Sequence, residues 1–204
     1  MLITFEGIDG CGKTTQLLRV ARRRELYRND EAPLTTREPG DWSEGEAIRA
    51  LLLQGKLEHA WSELFLFLVD RCEHVTQTLR PALEGGRVVL CDRYLDSTLA
   101  YQVWGRGLPL DAVETLFAWC AFPLPDLTIW LDLSPAKASE RLLSRGCPDR
   151  IEGADGGFLD RVAVGYETLW KKAPGRIRRV DASCDEDGVA SQVWELIAEA
   201  VAYR

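Results

Sequence analysis

One short stretch of the sequence reads Gly7-Ile8-Asp9-Gly10-Cys11-Gly12-Lys13-Thr14-Thr15, and it directly follows the apolar run Leu2-Ile3-Thr4-Phe5. It fits a pattern of a glycine, four variable positions and then Gly-Lys-Thr, in which backbone N–H groups surround a phosphate chain. In this pattern the lysine reaches the terminal phosphates, and the hydroxyl of the next residue binds Mg²⁺. The glycines permit positive φ angles and a close approach of the main chain to phosphate oxygens. We therefore predict that residues 7–15 bind the phosphates of a nucleotide.

The segments around this loop have the alternating patterns of strands and helices. Residues 2–6 predict a buried parallel strand, and Lys13 opens a helix whose N-terminal amides favour an anion. Further short apolar runs predict strands at 33–36, 88–91, 127–132 and 177–181. Helical spacing predicts helices at 43–53, 61–83, 111–119, 135–143, 158–172 and 187–203. This alternation predicts one three-layer α/β domain over residues 1–204, with a parallel sheet flanked by helices.

The composition of the chain argues against several classes of protein. Its 204 residues suffice for one well-buried domain, and its net charge of −7 argues against a nucleic-acid surface, which needs a basic face. The apolar runs of the chain, such as Leu64 to Val69, are too short to span a bilayer. Glu6 and Asp9 lie where a signal peptide needs an apolar core. We therefore expect a soluble cytoplasmic protein with neither a membrane nor a nucleic-acid partner.

The cysteines and histidines do not have the spacing of a metal site or of a disulfide framework. The six cysteines include no Cys-x-x-Cys pair, so we expect reduced thiols. Cys11 lies inside the glycine-rich loop, near a helix N-terminus and Lys13, an environment that lowers the pKa of a thiol. His59 and His74 are isolated, and we expect each of them on the surface or on a helix face rather than as a ligand.

Two carboxylates are candidates for holding a magnesium ion beside the phosphates. Asp92 and Asp132 each end a predicted strand, and ligands of open α/β sheets bind beyond the carboxyl ends of the strands. A carboxylate at the end of a neighbouring strand is what such sites use for Mg²⁺. We favour Asp92, with Thr14 as the hydroxyl ligand, because the adjacent Arg93 suits a phosphate-binding pocket.

Two arginines have positions that a ligand would explain, although each has a structural alternative. Arg37 directly follows the predicted strand at 33–36 and is expected on the same side of the sheet as the phosphate loop, or it is an ordinary loop cation. Arg71 falls on the apolar stripe of the predicted helix at 61–83, where a charge is costly without a partner. A ligand contact and a structural ion pair both explain Arg71.

The segment at about 141–157 has the composition of a lid that carries arginines. Arg141 and Arg145 share one face at the end of a predicted helix, and residues 146–157, which include Arg150, are rich in Gly, Asp and charge. Phosphoryl transfer is catalysed by cations and by the exclusion of water, which a closing lid supplies. A solvated polar loop is the alternative, and the phosphate loop favours the lid.

The combined motifs resemble bacterial thymidylate kinases, which pass the γ-phosphoryl group of ATP to dTMP in dTTP biosynthesis. The resemblance covers essentially the whole chain, and its most specific parts are Thr36-Arg37-Glu38-Pro39-Gly40 and Asp92-Arg93-Tyr94. It implies a P-loop fold with five parallel strands, a homodimer, and the substrates ATP and dTMP with Mg²⁺. Its other motifs are Phe5 to Gly10, Glu63 to Arg71, Ser97 with Ala100-Tyr101-Gln102, Pro125 to Thr128, and Asp149-Arg150-Ile151-Glu152.

The resemblance also implies a role for individual residues. Phe67 is expected to stack on thymine, and Arg71 to bond a base carbonyl with Ser97 and Gln102 nearby. Arg37 and Arg93 are expected to hold the dTMP phosphate. Asp9 is expected to bind the 3′-hydroxyl of the sugar, and Tyr101 to crowd its 2′ position.

The ATP phosphates and the catalytic charge are expected to lie at the loop and the lid. The resemblance implies that the loop binds ATP with its main chain from Gly10 to Thr15 and with Lys13. Relatives with a glycine at the place of Gly10 take their catalytic cation from the lid, which makes Arg150 the first candidate and Arg145 the second, with Arg141 close behind. The implied ATP-binding residues are Gly7, Ile8, Asp9, Gly10, Cys11, Gly12, Lys13, Thr14 and Thr15.

One departure from the family and two rival functions remain at this stage. Relatives usually continue Thr-Arg-Glu-Pro-Gly with Gly-Thr, whereas this chain has Asp41-Trp42, which changes the surroundings of the phosphate pocket. A kinase for another nucleoside monophosphate or a small metabolite is one rival. A nucleotide-dependent switch is the other, although the chain lacks the Asn/Thr-Lys-x-Asp motif of many GTP switches.

Overall fold

The computed structural model describes residues 1–28, 30–143 and 157–202, and within them the chain forms one parallel sheet between layers of helices. All strand pairs are parallel, and the strand order is β2-β3-β1-β4-β5. The prediction of five parallel strands is confirmed. The strands are β1 (Leu2–Glu6), β2 (Leu34–Arg37), β3 (Val89–Asp92), β4 (Leu127–Asp132) and β5 (Ile177–Asp181).

The helices fall close to the segments that the apolar spacing predicts. The first helices in the described chain are α1 (Lys13–Ala21), α2 (Gly45–Gln54), α3 (Ala60–His74), α4 (Arg80–Glu84) and α5 (Leu95–Thr98). They are followed by α6 (Leu110–Cys120), α7 (Pro135–Leu143), α8 (Phe158–Lys172) and α9 (Glu186–Ala202). None of the described helices is long and apolar enough to cross a bilayer.

Two π-helical turns modify the predicted helices. The helix predicted at 61–83 is one continuous run in which a π turn, Val75–Leu79, joins α3 to α4. A second π turn, Leu99–Gly105, continues α5 and carries Tyr101 and Gln102. Single π turns inside helices often accompany functional sites, and both turns here lie in the helices nearest to the predicted substrate residues.

The sheet register brings the predicted site residues to one edge. Phe5 of β1 is level with Asp92 of β3, and Asp92 is level with Arg37 of β2. Strand β1 is fully buried in the centre of the sheet. The segments that leave β1, β2 and β3 therefore begin side by side at the carboxyl edge, as expected for an open α/β sheet.

Candidate active site

The loop between β1 and α1 has the conformation that its glycines allow. Gly7, Gly10 and Gly12 have φ angles of 137°, 82° and 98°. A Cβ atom on Gly7 would lie 2.6 Å from the carbonyl oxygen of Leu131, and one on Gly10 would lie 2.9 Å from that of Ala138. Both positions therefore exclude a side chain on conformational and on steric grounds. The backbone of this loop turns around the N-terminus of α1, where an anion is favoured.

The side chain of Lys13 lies over the same loop. It is buried, and its Nζ atom donates to the carbonyl oxygens of Gly7 and Ile8 at 3.1 Å each. Nζ also lies 3.8 Å from the Asp9 carboxylate. The ammonium group is thus held at the centre of the loop, where it can face a phosphate.

Asp92 lies beside the first hydroxyl of α1, whereas Asp132 does not. Thr14 Oγ1 donates to Asp92 Oδ2 at 2.5 Å. Asp132 accepts a hydrogen bond from Arg179 Nε at 2.8 Å, so it forms an ion pair at the end of β4 and β5. One carboxylate and one hydroxyl fit Mg²⁺, which keeps several waters and completes its shell with substrate phosphates. The described residues contain no cluster of three or more His, Cys, Asp or Glu that could hold a metal by itself.

Arg93 connects the phosphate loop to the second cavity of the site. It has a positive φ of 68°, and its side chain is 17% exposed. Its Nη2 donates to Asp9 Oδ1 at 2.5 Å and to Tyr101 Oη at 3.2 Å, and its Nη1 donates to Ser97 Oγ at 3.0 Å. Burial works to raise the pKa of Asp9, but Arg93 and Lys13 outweigh it and hold that pKa well below its usual range. Asp9 is therefore ionised at neutral pH.

The buried carboxyl group of Glu6 lies behind Arg93, and it was not predicted as a site residue from the sequence. Glu6 Oε2 accepts from Ser97 Oγ at 2.5 Å and from Tyr166 Oη at 3.1 Å, and Glu6 Oε1 accepts from the Tyr94 N–H at 2.8 Å. Burial and the nearby Asp96 raise the pKa of Glu6 to about 7. Ser97 is therefore tied to Glu6 on one side and to Arg93 on the other.

The predicted base-binding residues line one cavity between α3 and the second π turn. Phe67, Arg71, Ser97, Tyr101 and Gln102 all line it, and so do Asp9 and Arg93. The structure thus brings together every substrate residue of the prediction except Arg37. Gln102 is buried, and its Nε2 donates to Glu63 Oε1 at 3.0 Å.

Arg71 forms the structural ion pair and also keeps a donor for a ligand. It is 1% exposed, and its Nε donates to Glu38 Oε2 at 2.6 Å while its Nη2 donates to the Tyr94 carbonyl at 3.1 Å. Its Nη1 has no hydrogen-bond partner among the described residues. A buried guanidinium N–H without a partner is costly, and a substrate carbonyl would satisfy it. The two alternatives for Arg71 are therefore compatible.

His74 lies on a helix, which is one of the two positions expected for it, and not on the surface. His74 lies on α3 but is fully buried, with Nδ1 2.9 Å from Glu38 Oε1 and Nε2 2.7 Å from Thr36 Oγ1. It supports Glu38 from the side opposite Arg71. The apolar spacing of α3 placed His74 on a helix, but its two polar partners are distant in sequence and gave no local signal.

A second cavity adjoins the phosphate loop and is lined by three arginines. Arg37 and Arg49 line it, together with Lys13, Asp92 and Arg93. Arg37 is half exposed and pairs with Asp41, with Nε 3.2 Å from Oδ1. Arg49 of α2 donates from Nη1 to the Pro39 carbonyl at 2.8 Å and was missed because its helical spacing gave no sign of a site. Burial, and after it Arg37, lowers the pKa of Arg49.

The two cavities share a wall. Asp9, Glu38, Arg49 and Arg93 line both of them. A molecule in the base cavity and a phosphate chain on the loop would therefore meet at Arg93. Asp41 and Trp42, which depart from the family pattern, line neither cavity, and the Trp42 ring donates from Nε1 to Asp70 of α3 at 2.8 Å.

The arginines of the predicted lid are described only in part. Arg145, Arg150 and most of the segment at 141–157 lie outside the described residues. Arg141 donates from Nη2 to the Ala182 carbonyl at 3.1 Å and from Nη1 to the Gly10 carbonyl at 3.4 Å. It therefore lies beside the phosphate loop, in a cleft that Gln16 and Cys184 also line.

The expected lowering of the pKa of the Cys11 thiol was wrong. The side chain is 2% exposed, and this burial raises the pKa of the thiol although Lys13 and Arg93 act in the opposite direction. A helix N-terminus and a nearby lysine lower a thiol pKa only where the thiolate keeps some contact with water. Cys11 packs into the base of the loop, where the desolvation cost is larger.

Comparison with known proteins gives one consistent result. The family model described as thymidylate kinase matches residues 5–193. Thymidylate kinase of Gloeobacter violaceus is 46% identical over 197 residues, which cover 95% of this chain and 92% of the relative. Thymidylate kinase of Alkalilimnicola ehrlichii is 44% identical over 204 residues, which cover 98% of this chain and 93% of the relative. The crystal structure of thymidylate kinase from Ehrlichia chaffeensis superimposes with a TM-score of 0.80 at 30% identity and covers 97% of this chain and 98% of that one.

Proposed function

Because the chain belongs to the thymidylate kinase family, we propose that it transfers the γ-phosphoryl group of ATP to dTMP and so forms dTDP. The shared wall of the two cavities supports this proposal. Asp9, Arg49 and Arg93 line both the base cavity and the cavity at the phosphate loop. ATP phosphates lie on the loop at 7–15, and dTMP lies in the base cavity with its phosphate toward Arg93.

The acceptor is already an anion, so the reaction needs no general base. An oxygen of the dTMP phosphate attacks the γ-phosphorus in line, and the negative charge that collects between the two nucleotides is the main obstacle. Among the described residues, Lys13 and Arg93 offset that charge. Arg150 and Arg145 are our candidates for a further cation from a lid at about 141–157, and Arg141 supports it from beside the loop. Thr14 and Asp92 would hold Mg²⁺, which neutralises phosphate charge when bound.

The base and sugar contacts follow from donors and acceptors in the cavity. Arg71 Nη1 is a donor without a partner, which suits a thymine carbonyl, while Phe67 offers a ring for stacking. Asp9 is ionised and can accept a hydrogen bond from the 3′-hydroxyl. Tyr101 Oη donates to Asp9 Oδ2 at 2.9 Å, so its ring is fixed beside the sugar position and leaves little room for a 2′-hydroxyl. Arg37 extends the phosphate site from β2.

A panel of acceptors tests this function. We would measure ADP release with Mg-ATP and dTMP, dUMP, dCMP, dGMP or shikimate. We expect the highest kcat/KM with dTMP. Preference for any of the other acceptors would assign the site to another kinase, and ATP hydrolysis that no acceptor stimulates would point to a nucleotide switch.

We also propose that the enzyme is a homodimer in the cytoplasm. The location is supported by the free thiols of the described cysteines.

The dimer is supported by large apolar side chains that stay exposed on neighbouring helices: Phe65 and Val69 of α3 are 51% and 48% exposed, and Trp119 of α6 is 79% exposed. Sedimentation analysis should give a dimer for the wild type and a monomer for Val69→Glu, and a monomeric wild type would contradict the proposal.

A further inference from the structure

We propose that Glu63 is a positioning residue that makes the site prefer thymine to cytosine, because it fixes which end of the Gln102 amide faces the base. The inference rests on the proposed function and adds a residue that is not itself in the base cavity. Glu63 belongs to α3, is 2% exposed, and lies behind Gln102.

The contact between the two side chains permits one orientation of the amide. Gln102 and Glu63 meet through a hydrogen bond of 3.0 Å to Glu63 Oε1. A carboxylate only accepts, so the amide must present its NH₂ group to Glu63 and not its carbonyl oxygen. The carbonyl oxygen, Oε1, is then turned away from Glu63, and it accepts no hydrogen bond from the described residues. Since Gln102 lines the base cavity, this oxygen is available to a ligand.

Arg106 holds the Glu63 carboxylate in place as a hydrogen-bond acceptor. Its Nε donates to Glu63 Oε1 and its Nη2 donates to Glu63 Oε2, each at 3.1 Å. Such a two-point contact holds the carboxylate in place with both of its oxygens accepting hydrogen bonds. A reversed Gln102 amide would turn its oxygen toward the Glu63 carboxylate oxygen, which has no proton to donate.

The result is a donor and an acceptor in the same cavity. Arg71 supplies the donor through Nη1, and Gln102 supplies the acceptor through Oε1. Thymine and uracil present a carbonyl acceptor at position 4 and an N–H donor at position 3, which match this pair. Cytosine presents an amino donor and a ring-nitrogen acceptor at those positions, so both of its contacts would be mismatched. Sites built around hydrogen bonds discriminate strongly because a mismatch leaves buried groups unpaired.

Glu63→Gln tests the proposal with little change of shape. A glutamine at this position can offer either an oxygen or an NH₂ group, so Gln102 is free to reverse. We expect the ratio of kcat/KM for dTMP to that for dCMP to fall by about tenfold or more. The ratio for dTMP to dUMP should stay within about twofold, because thymine and uracil present the same groups at positions 3 and 4 and are affected equally. The KM for ATP should also stay within about twofold, because ATP does not contact Gln102. A purely structural role would lower the activity with all acceptors alike.

The chain offers a matched control on the same helix. Glu73 accepts a hydrogen bond from Gln77 Nε2 at 2.9 Å on the exposed side, so Glu73→Gln breaks a similar pair away from the cavity. It should leave both acceptor ratios and the KM for ATP unchanged. In a double-mutant cycle, adding Glu63→Gln to Gln102→Ala should not change the dTMP to dCMP ratio further, because the group that Glu63 orients is gone.

The outcomes separate this inference from the proposed function. A wild type without dTMP-dependent ADP release would refute the function. A wild type that prefers dTMP, together with a folded Glu63→Gln variant of unchanged dTMP to dCMP ratio, would refute the role of Glu63 alone. If Glu63→Gln does not fold, Arg106→Gln loosens the same carboxylate, and an unchanged ratio in that variant would equally count against the inference.

Discussion

Replacement of Arg93 by methionine should reduce both the stability and the turnover of this enzyme. The guanidinium donates to Asp9, Tyr101 and Ser97, and also to the Gly7 carbonyl at 3.2 Å. Methionine keeps most of the apolar stem but removes the charge and all of these hydrogen bonds. The Asp9 carboxylate, whose charged form burial already disfavours, loses its closest cation.

The expected size of the effect follows from this burial. Removing one partner of a buried ion pair costs about 3–5 kcal/mol, and because the Arg93 and Asp9 side chains are 17% and 26% exposed we expect about 3 kcal/mol. In a domain of this size 1 kcal/mol lowers the unfolding midpoint by about 2–4 °C, so the midpoint should fall by about 6–12 °C. Loss of an arginine that stabilises transferred phosphoryl charge typically costs about 10³-fold or more in kcat.

Arg37→Met is the matched control, since Arg37 lies in the same phosphate-loop cavity but is 49% exposed. An exposed ion pair contributes at most about 1 kcal/mol, so its midpoint should fall by no more than about 4 °C while its KM for dTMP rises. Thermal unfolding and coupled ADP release with saturating Mg-ATP measure both quantities. An Arg93→Met variant with the midpoint of the wild type would refute the stability argument, and one with kcat within tenfold of it would refute the assigned role.

Three further predictions concern groups around the same site. Glu6 has its pKa raised to about 7, so its contribution to stability is complete below about pH 4.5 and is lost by about pH 8; the unfolding midpoint of the wild type should fall over this range relative to Glu6→Gln, and parallel curves would contradict the shift. Asp92→Asn should raise the Mg²⁺ concentration needed for half-maximal rate about tenfold or more, as a magnesium titration of ADP release would measure, and an unchanged requirement would exclude Asp92. Cys11 should react with iodoacetamide more slowly than Cys184, as mass spectrometry of labelled peptides would show, since burial raises the pKa of the Cys11 thiol while Cys184 is exposed; equal rates would contradict its burial.

Most of the secondary structure could be predicted because it depends on local patterns. The strand after residue 1 and the helix from Lys13 follow from an apolar run, a glycine-rich turn and helical spacing, and all of these are short-range signals. The π turns could not be predicted, since nothing in the local pattern of residues 75–79 or 99–105 distinguishes them from ordinary helix. The insertion of a π turn changes which side of the helix faces the cavity, so it matters for Tyr101 and Gln102.

Most residues that line the two cavities could be predicted from the sequence, with Arg49 as an exception, but the residues that support them could not. Lys13, Asp92 and Arg93 stand out because they follow strands or a phosphate loop. Glu6 and Tyr166 are 160 positions apart, and their hydrogen bond exists only because β1 and α8 pack together. The sequence could indicate only that a structural ion pair of Arg71 would need a carboxylate. The structure identifies that carboxylate as Glu38, which lies 33 positions away.

The pairing of Asp9 with Arg93 explains how the site can keep charged groups buried before its substrate arrives. On the proposed function, Asp9 serves the sugar hydroxyl and Arg93 serves the phosphate, yet in the structure each satisfies the other. A dTMP molecule that brings both groups can exchange one internal ion pair for two external contacts, so no charge has to be buried without a partner. A phosphate alone would take Arg93 and leave Asp9 with Lys13 and Tyr101 only. The pair therefore favours acceptors that carry a hydroxyl and a phosphate at the spacing of a nucleotide, and it makes the sugar part of the recognition of the phosphate.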